Sequence, residues 1–496
     1  MKNVSSNDKT EKQYLLYKEK YESSRKQSDR LALRLGLSGK GFAKDDAPQA
    51  FREIKSRQQA VAELAGKPEF CMELETRARR LRSIGYEKSV EIMDTFFLAL
   101  ETKSNTPMVF RICMWMFPVL ALSSLFLALA GIYRQQAMPL FFLLAFAQLM
   151  AAFLGLYRNN RVLSPVYRMN RAAAAYRELF QLLERESFES PYLMDLRSTL
   201  LRDGAASSLK ELEAISDSVS ARHNVYAFVL YNSLFLHDYH CVMRFEAWKD
   251  TYRDKLEAWF QTVGDVEALI SLSVVCHTRR VHCLPELVDC GRPVLAAADL
   301  RHPLLKGNLA VGNDVELAHR VCIITGSNMS GKTTFMRSIG VNLSLAYAGG
   351  FCTAGSLQVS LMKLCTSIRT EDNVHEGIST FYAELLRVKR MMEASGKQIP
   401  MISLIDEIYK GTNSKDRIFA ARETIRKLSK PWSFTLLTTH DFELCDLEHD
   451  AETDAGNYYF TEHYEDNQIC FDYKLRDGRA TTTNARYLLR MAGIIS

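Results

Sequence analysis

The sequence predicts an α plus α/β fold, in which a long helical region precedes an α/β domain. Up to about residue 275, apolar residues recur at three- and four-residue intervals, the spacing of helices with one buried face. Two uncharged runs, at 112–133 and 135–157, interrupt this pattern. After Pro293, β-branched runs alternate with helical patterns, which is typical of a domain with a parallel sheet.

Length and composition limit the class of protein. With 496 residues the chain is too long for one core of ordinary size and predicts roughly two to four domains. Hydrophobic residues make up 47% and charged residues 24%, which excludes a mostly membrane-embedded protein and a disordered one. The net charge of +5 is compatible with a phosphate-rich partner but does not require one. Eleven cysteines without a CxxC pair, and no cleavable signal pattern, favour reduced thiols in a cytosol.

Shifts in composition divide the chain into four predicted parts. Residues 1–108 are expected to be helical, and 109–158 to form a transmembrane helical hairpin. Residues 159–290 return to a helical pattern, and 291–496 are expected to form the α/β domain.

The two uncharged runs are each long enough to span a bilayer. At about 1.5 Å per helical residue, either covers the roughly 30 Å of hydrocarbon in a membrane. Trp115, Tyr133 and Tyr157 stand near their ends, where aromatic residues are common in membrane helices. The alternative is a buried helical hairpin in a soluble core, although soluble helices rarely stay apolar on every face.

Basic residues flank the predicted hairpin on its outer sides. Lys103 and Arg111 precede the first run, and only Arg134 lies in the connection. Four arginines follow the second run: Arg158, Arg161, Arg168 and Arg171. The positive-inside rule therefore predicts that both long ends of the chain lie in the cytoplasm and that the protein resides in the cytoplasmic membrane.

A group of cysteine and histidine residues precedes the α/β domain. Its members are Cys276, His277, His282, Cys283 and Cys290. Their spacing does not match an ordinary paired-ligand zinc motif. We therefore favour structural roles on strands and turns, where free cysteine packs as a small hydrophobe, over a metal site.

A glycine-containing segment connects a predicted buried strand at 321–325 with a predicted helix at 335–345. It consists of Gly326, Ser327, Asn328, Met329, Ser330, Gly331, Lys332 and Thr333. This is a P-loop in its proper context of strand, loop and helix. Its amides are expected to surround phosphate oxygens, Lys332 to contact the β- and γ-phosphates, and the Thr333 hydroxyl to ligate Mg²⁺. The sequence thus predicts a site for ATP and Mg²⁺.

Two further strand ends carry polar side chains suited to nucleotide hydrolysis. A predicted strand at 401–405 ends in Asp406 and Glu407, and a strand at 434–438 is followed by His440. Ligands of parallel sheets bind at this carboxyl edge. We expect Asp406 to hold the magnesium shell, Glu407 to accept a proton from the attacking water, and His440 to sense the γ-phosphate or that water. A structural role is the alternative for His440.

The order of these segments resembles the MutS family, mismatch-repair ATPases within the wider group of ABC-type ATPases. The segments that carry the resemblance are 301–303, the loop 326–333 with Thr334, 379–385, 404–408 with 411–414, 438–440 and the closing helix at 485–494. Weaker similarity covers the helical residues 54–64 and 266–272.

The resemblance implies an ATPase that hydrolyses ATP as a homodimer. In it, Ser379 belongs to an ABC-type signature that reaches the γ-phosphate held by a partner subunit, and the alternative role for Ser379 is a helix N-cap. We assign ATP contacts to the loop, Thr334 and Ser379. We assign metal ligation to Thr333 and Asp406, and catalysis to Lys332, Glu407 and His440.

The hairpin departs from the family pattern, and we expect no mismatch-reading domain before the helical region. Any affinity for double-stranded DNA is therefore expected to be salt-sensitive backbone binding without mismatch discrimination. The leading hypothesis is a membrane-anchored ATPase whose nucleotide cycle opens and closes helical arms. One alternative is a soluble mismatch-repair-type DNA clamp in which the hairpin is protein core. The other is an ATP-binding membrane scaffold with little hydrolysis, against which Glu407 argues.

Overall fold

A computed structural model of the chain describes residues 47–83, 86–101, 108–305, 309–368, 380–409, 413–465 and 468–480. The predicted signature residue Ser379, the helical prediction before residue 47 and the predicted closing helix lie outside the described residues. The described residues divide into two compact units, one formed by those up to Ala65 together with those from Leu269 onward, the other by Gly66–Ala268. Helices and mixed sheets together confirm the predicted α plus α/β class.

The helices and strands are numbered in chain order. The helices are α1 (Ala47–Ala65), α2 (Pro68–Ser83), α3 (Tyr86–Glu101), α4 (Met108–Leu129), α5 (Arg134–Arg185), α6 (Pro191–Asp203), α7 (Ala205–Ser220), α8 (Val225–Phe235), α9 (His237–Thr278), α10 (Lys332–Ala348), α11 (Thr380–Ser395) and α12 (Ser414–Leu428). The strands are β1 (Glu286–Val288), β2 (Leu295–Leu300), β3 (Asn313–Glu316), β4 (Val321–Thr325), β5 (Ser356–Ser360), β6 (Lys363–Ser367), β7 (Met401–Asp406), β8 (Ser433–Thr438), β9 (Ala455–Tyr459), β10 (Glu462–Glu465), β11 (Gln468–Phe471) and β12 (Arg476–Asp477).

The α/β unit is built around a six-stranded sheet with the order β12-β9-β4-β8-β7-β6. The five strands from β9 to β6 are parallel, and β12 pairs antiparallel with β9 at one edge. The carboxyl ends of β4, β7 and β8 therefore lie side by side, because Ile324 and Asp406 both pair with Thr438. A second sheet has the order β1-β5-β2-β3.

Both faces of the six-stranded sheet are covered. Every residue of β4 is buried, and successive side chains point to opposite faces. Cys322 and Ile324 pack with Phe335 and Ile339 of α10. On the other face, Val321 and Ile323 pack in a cluster that contains residues of α11 and α12. The sheet is thus fixed from both sides.

The helical unit has an aromatic core. Trp248 and Trp259 of α9 are buried, and the Trp248 ring stacks on Phe245 with centroids 6.0 Å apart. Phe96 of α3 packs tilted against Trp248, and Phe180 of α5 packs edge-on against Trp259. These contacts join three helices that are distant in sequence.

The predicted hairpin corresponds to α4 and the first part of α5. Gly131 and Tyr133 adopt positive φ in the turn between the helices, and the Gln148 amide donates to the Phe117 carbonyl at 3.5 Å, so the helices are antiparallel. α5 and α9 are long and apolar enough to cross a membrane by length and composition, and the most apolar window of α5 is 17% buried. The helix α5 continues without a break past residue 158 to Arg185.

The prediction from this fold concerns Asn342, a buried side chain on α10. Its amide donates to the Arg301 carbonyl at 2.9 Å and its oxygen accepts from the Thr353 backbone N–H at 2.7 Å. In the variant Asn342→Ala the buried N–H of Thr353 loses its acceptor. We expect the free energy of unfolding to fall by about 1–3 kcal/mol.

Chemical unfolding followed by circular dichroism measures this effect. The variant Ser344→Ala is the control, because the Ser344 hydroxyl on the same helix bonds only the local Gly340 carbonyl among the contacts described. Equal stability of the two variants would contradict the bridging role of Asn342.

Candidate functional site

The 326–333 loop connects β4 to α10. Gly326 and Gly331 have φ of 145° and 106°, in the region that favours glycine. A Cβ at Gly326 would lie 2.7 Å from the Phe460 carbonyl oxygen, so a side chain there is excluded by the backbone just after β9. The helix begins at Lys332, and the N-terminus of a helix presents unpaired backbone N–H groups to an anion.

Lys332 is held within this loop. Its side chain is 5% exposed, and its ammonium donates to the carbonyls of Gly326 at 2.8 Å and Ser327 at 2.7 Å. The charge therefore lies against the loop backbone at the start of α10. The Ser327 hydroxyl donates in turn to the buried carboxylate of Glu462 at 2.7 Å, which ties the loop to β10.

Asp406 stands at the end of β7 and collects two hydroxyl groups. Its carboxylate accepts from Thr333 at 3.0 and 2.9 Å and from Thr438 at 2.6 Å. Asp406 is 7% exposed, so this carboxylate is desolvated and depends on these donors. The loop, β7 and β8 thus meet at one carboxylate.

Glu407 follows in a strained backbone conformation. Its φ is 55°, and its N–H donates to the carbonyl and to the hydroxyl of Thr438, each at 3.1 Å. Its carboxylate lies 3.1 Å from Nε2 of His440. Tyr409 also has a positive φ of 56°, and its N–H donates to the Glu384 carboxylate of α11 at 2.6 Å. The turn after β7 is therefore held from two sides.

Arg417 fixes the residue that follows His440. Its guanidinium on α12 donates twice to the Asp441 carboxylate, at 2.7 and 2.6 Å. A bidentate pair of this kind restricts orientation as well as position. The Thr439-His440-Asp441 turn is thereby held against α12.

A pocket of about 750 Å³ opens beside the loop. Loop residues and Glu407 contribute to its lining together with apolar and aromatic side chains, Leu300, Leu309, Val311, Phe335 and Tyr473, and with polar ones such as His302 and Arg337. The Tyr473 ring would lie 3.1 Å from a Cβ at Gly331, so it sits directly against the loop. A larger cleft of about 970 Å³ is lined by none of the predicted site residues.

The structure brings most of the predicted site residues together. The loop residues, Thr334, Asp406, Glu407 and His440 lie at the carboxyl edge of the six-stranded sheet. Their assigned chemical roles stay predictions, as does that of Ser379. Sequence reasoning missed Glu462 and Tyr473, which follow β9 and carry no motif. The only local signal is that both lie in the segment after the last long strand.

The cysteine and histidine group forms no cluster suited to a metal. Within the described parts of the chain, no three His, Cys, Asp or Glu side chains are grouped to hold an ion. The backbone of Cys283 pairs with that of Cys352 in a β-bridge, and the His282 ring contacts the Arg279 carbonyl at 2.9 Å.

These features define a protein with a helical unit and an α/β unit whose polar site lies at a parallel sheet edge. Residues 322–495 match the family model of MutS domain V. Over these residues the chain is similar to domain V of the MutS family.

Relatives of known name match about half of the chain. "DNA mismatch repair protein MutS" of Chloroflexus aurantiacus is 30% identical over 251 residues, which is 49% of this chain and 25% of that protein. "DNA mismatch repair protein MutS 2" of Halobacterium salinarum is 29% identical over 49% of this chain and 28% of that protein. "DNA mismatch repair protein MutS" of Lactococcus lactis subsp. cremoris is 26% identical over 52% of this chain and 31% of that protein. The chain thus spans less than a third of the length of these relatives.

The prediction from this part of the structure concerns thiol reactivity. Burial raises the pKa of Cys322 to about 12 and that of Cys352 well above its usual range, whereas Cys290 is exposed. Because the thiolate is the reacting species, we expect Cys290 to react with a disulfide reagent in the folded protein. Cys322 and Cys352 should react only after unfolding. Peptide mass spectrometry of the labelled protein measures this order, and labelling of native Cys352 at the rate of Cys290 would contradict it.

Proposed function

We propose that this chain binds Mg-ATP at the 326–333 loop and hydrolyses it. The observation that carries the proposal is the convergence of Lys332, Asp406, Glu407 and His440 at one sheet edge. Residues from three separate strand ends meet there, and nucleotide hydrolysis uses each of their chemistries.

Phosphate binding is the first step. The N–H groups of the loop and of the start of α10 suit phosphate oxygens, and Lys332 supplies a positive charge. In this proposal the phosphates replace the Gly326 and Ser327 carbonyls as partners of the ammonium. The side chain is already at the loop, so little movement is needed.

The residues beside the loop also fit a magnesium ion. Mg²⁺ prefers oxygen ligands, and the Thr333 hydroxyl and the Asp406 carboxylate offer them within hydrogen-bond distance of each other. The ion, when bound, neutralises charge on the β- and γ-phosphates. Thr438 keeps Asp406 in place by donating to the same carboxylate.

Water activation is assigned to Glu407. Its carboxylate is 14% exposed at the pocket, and the backbone hydrogen bonds to Thr438 fix its direction. It accepts the proton of the attacking water as general base. His440, which lies 3.1 Å away, orients that water or the γ-phosphate, and Arg417 positions this turn through Asp441.

The pocket beside the loop provides a place for the nucleotide base. It combines the apolar side chains of Leu309 and Val311 with the ring of Tyr473. A flat base gains from stacking on an aromatic ring while its edges stay in contact with polar groups. In this proposal Tyr473 stacks on the base while Lys332 holds the phosphates.

The proposed assembly and partners rest on the similarity to MutS relatives. The relatives are named as DNA mismatch repair proteins, and on that basis we include double-stranded DNA as a candidate partner. A homodimer, in which Ser379 of one subunit reaches the nucleotide of the other, is part of the same proposal. The nucleotide cycle then drives opening and closing of the helical units.

The first functional prediction separates binding from turnover. We expect Lys332→Ala to lose ATP binding, because the phosphates lose their cation. We expect Glu407→Gln to bind ATP but lose turnover by roughly a hundredfold or more, because an amide cannot accept the proton. Binding is measured with a fluorescent ATP analogue, and turnover by phosphate release with and without magnesium.

The control is Lys397→Ala, which removes an exposed lysine of the same unit outside the site. It should retain both binding and turnover. Full turnover by the Glu407→Gln protein would show that Glu407 is not the general base. Unchanged ATP binding by Lys332→Ala would show that the 326–333 loop is not the phosphate-binding site.

We also propose that α4 and the first part of α5 span the cytoplasmic membrane. Their large apolar side chains face outward: Trp115, Phe126, Phe142, Phe146 and Leu154 are each more than half exposed. The buried positions of the two helices carry small or polar side chains instead, among them Ala121, Ser124, Gln148 and Ala152, and Gly155 lies against the Tyr239 ring of α9. Close packing through small residues is typical of membrane helices, whereas a water-soluble hairpin has the reverse arrangement.

The second functional prediction tests this topology. We expect Gln136→Cys, at the exposed turn, to react with a membrane-impermeant thiol reagent on intact cells, because the turn faces outward. Native Cys290, exposed on the α/β unit, should react only in permeabilised cells. Peptide mass spectrometry reads both positions in the same sample, so Cys290 serves as the internal control.

The same experiment distinguishes a membrane-spanning hairpin from the alternative in which the hairpin is soluble protein core. If neither position reacts on intact cells and the protein stays soluble without detergent, the hairpin is protein core. The soluble DNA clamp is then the better description. If both positions react on intact cells, the proposed orientation is wrong.

A further inference from the structure

A second apolar surface lies on α8, outside the predicted spans. From Val225 to Leu236 the chain has no charged residue. The helix turns Phe228 and Asn232 toward the protein, and both are buried. On the opposite face Tyr226 is 86% and Leu230 54% exposed, and Val225, the first residue of the helix, is 73% exposed.

This exposed face is held in a fixed orientation. The Asn224 side chain caps the start of α8 by accepting from the N–H groups of Tyr226 and Ala227. At the other end, the buried Asn232 bonds the side chain and the N–H of Asp238, which pairs with Arg222 at 2.8 Å. Contacts at both ends of α8 therefore hold its apolar side chains in a fixed, exposed position.

The helix lies at one end of the hairpin. Phe228 packs edge-on against Phe153 of α5, with centroids 5.6 Å apart. Just after α8, the Tyr239 hydroxyl donates to the Ala151 carbonyl at 2.9 Å, and His240 packs against Trp115 of α4. From Arg134 at the turn to Phe153 is 19 residues, or about 29 Å of helix at about 1.5 Å per residue. This matches the hydrocarbon thickness of a bilayer, so α8 lies one bilayer core away from the turn.

The surroundings of α8 suit an anionic lipid surface. The apolar surface of α5 runs on to Leu154 and Tyr157, which are 83% and 78% exposed. Immediately beyond them Arg158 and Arg161 are exposed, at the level where headgroups would lie. Tyrosine on α8 adds an aromatic residue of the type common at membrane interfaces.

We propose that α8 lies in the plane of the membrane, in the cytoplasmic headgroup and acyl boundary of an anionic bilayer. The inference rests on the proposed membrane insertion of the hairpin and extends it by a third, non-spanning element. Insertion of Tyr226 and Leu230 buries apolar surface in lipid, and Arg158 and Arg161 attract the anionic headgroups. In this proposal α8 holds the helical unit against the membrane surface in a fixed orientation.

Depth-dependent fluorescence quenching tests the proposal. The full-length protein, with its accessible native cysteines such as Cys290 replaced by serine, is reconstituted in vesicles containing phosphatidylglycerol. An environment-sensitive fluorophore is attached to a single introduced cysteine. The three positions are Tyr226→Cys on α8, Phe146→Cys in the middle of α5, and Lys210→Cys on the exposed surface of α7. Lipids carry a nitroxide either near the headgroup or near the acyl chain end.

We expect the fluorescence emission of the label at position 226 to shift to shorter wavelength in vesicles. It should be quenched mainly by the shallow nitroxide, the one near the headgroup. The Phe146 label should be quenched mainly by the deep nitroxide, and the Lys210 label by neither. Replacement of Arg158 and Arg161 by glutamine should reduce the shallow quenching at Tyr226 in anionic vesicles but leave the deep quenching at Phe146 unchanged.

The outcomes separate this inference from the topology on which it rests. Deep quenching at Phe146 with an unquenched label at Tyr226 overturns the role of α8 and leaves the hairpin in the membrane. No quenching at either position overturns both. A blue shift at Tyr226 that needs high protein concentration and shows no lipid quenching assigns the surface to a second copy of the chain, and also overturns the inference.

Discussion

The carboxylate of Asp406 is the interaction on which the α/β site depends. It is nearly buried, and it accepts hydrogen bonds from Thr333 at the loop and from Thr438 on β8. A desolvated carboxylate is costly unless its lone pairs are satisfied, so the loop and two strands can adopt only arrangements that supply both hydroxyls. The same Thr438 hydroxyl accepts the Glu407 N–H, which sets the direction of the neighbouring carboxylate. One buried charge therefore fixes the geometry of several proposed functional groups.

The turn after β7 connects this site to α11. Positive φ at Glu407 and Tyr409 is unfavourable for residues with a Cβ, and it persists because hydrogen bonds hold both N–H groups. Glu384 provides one of these bonds from α11, and burial raises the pKa of its carboxyl group. Protonation of Glu384 would weaken its hydrogen bond to the Tyr409 N–H. Because Glu384 belongs to α11, a movement of α11 would also change this hydrogen bond and the position of the turn that carries Glu407. The bond thus couples that helix directly to the site.

Sequence patterns predicted the parts of the site that are local in the chain. The loop between β4 and α10, and the carboxylates after β7, follow from a strand, its end and the next few residues. The fold class followed for the same reason, from periodicity within each segment. Tyr473 was missed because its position against Gly331 depends on the path of the chain after β9, more than a hundred residues from the loop. Contacts at that separation in sequence leave no periodic signal.

The hairpin illustrates a different limit of sequence reasoning. The predicted span ended near 157 because the composition changes there from apolar to basic, yet α5 continues as one helix to Arg185. The amino-acid composition of a helix depends on whether lipid or water surrounds it. The backbone hydrogen bonds that define the helix are the same in both surroundings, so a change in composition does not mark the end of a helix. In the proposed topology this unbroken helix would connect the membrane segment rigidly to the rest of the helical unit. Because α8 packs on α5 close to this change, at Phe153, the end of the apolar surface is fixed by tertiary contacts as well as by composition. The helical unit thus has one rigid axis that carries both its aromatic core, through Phe180, and its outward apolar surface.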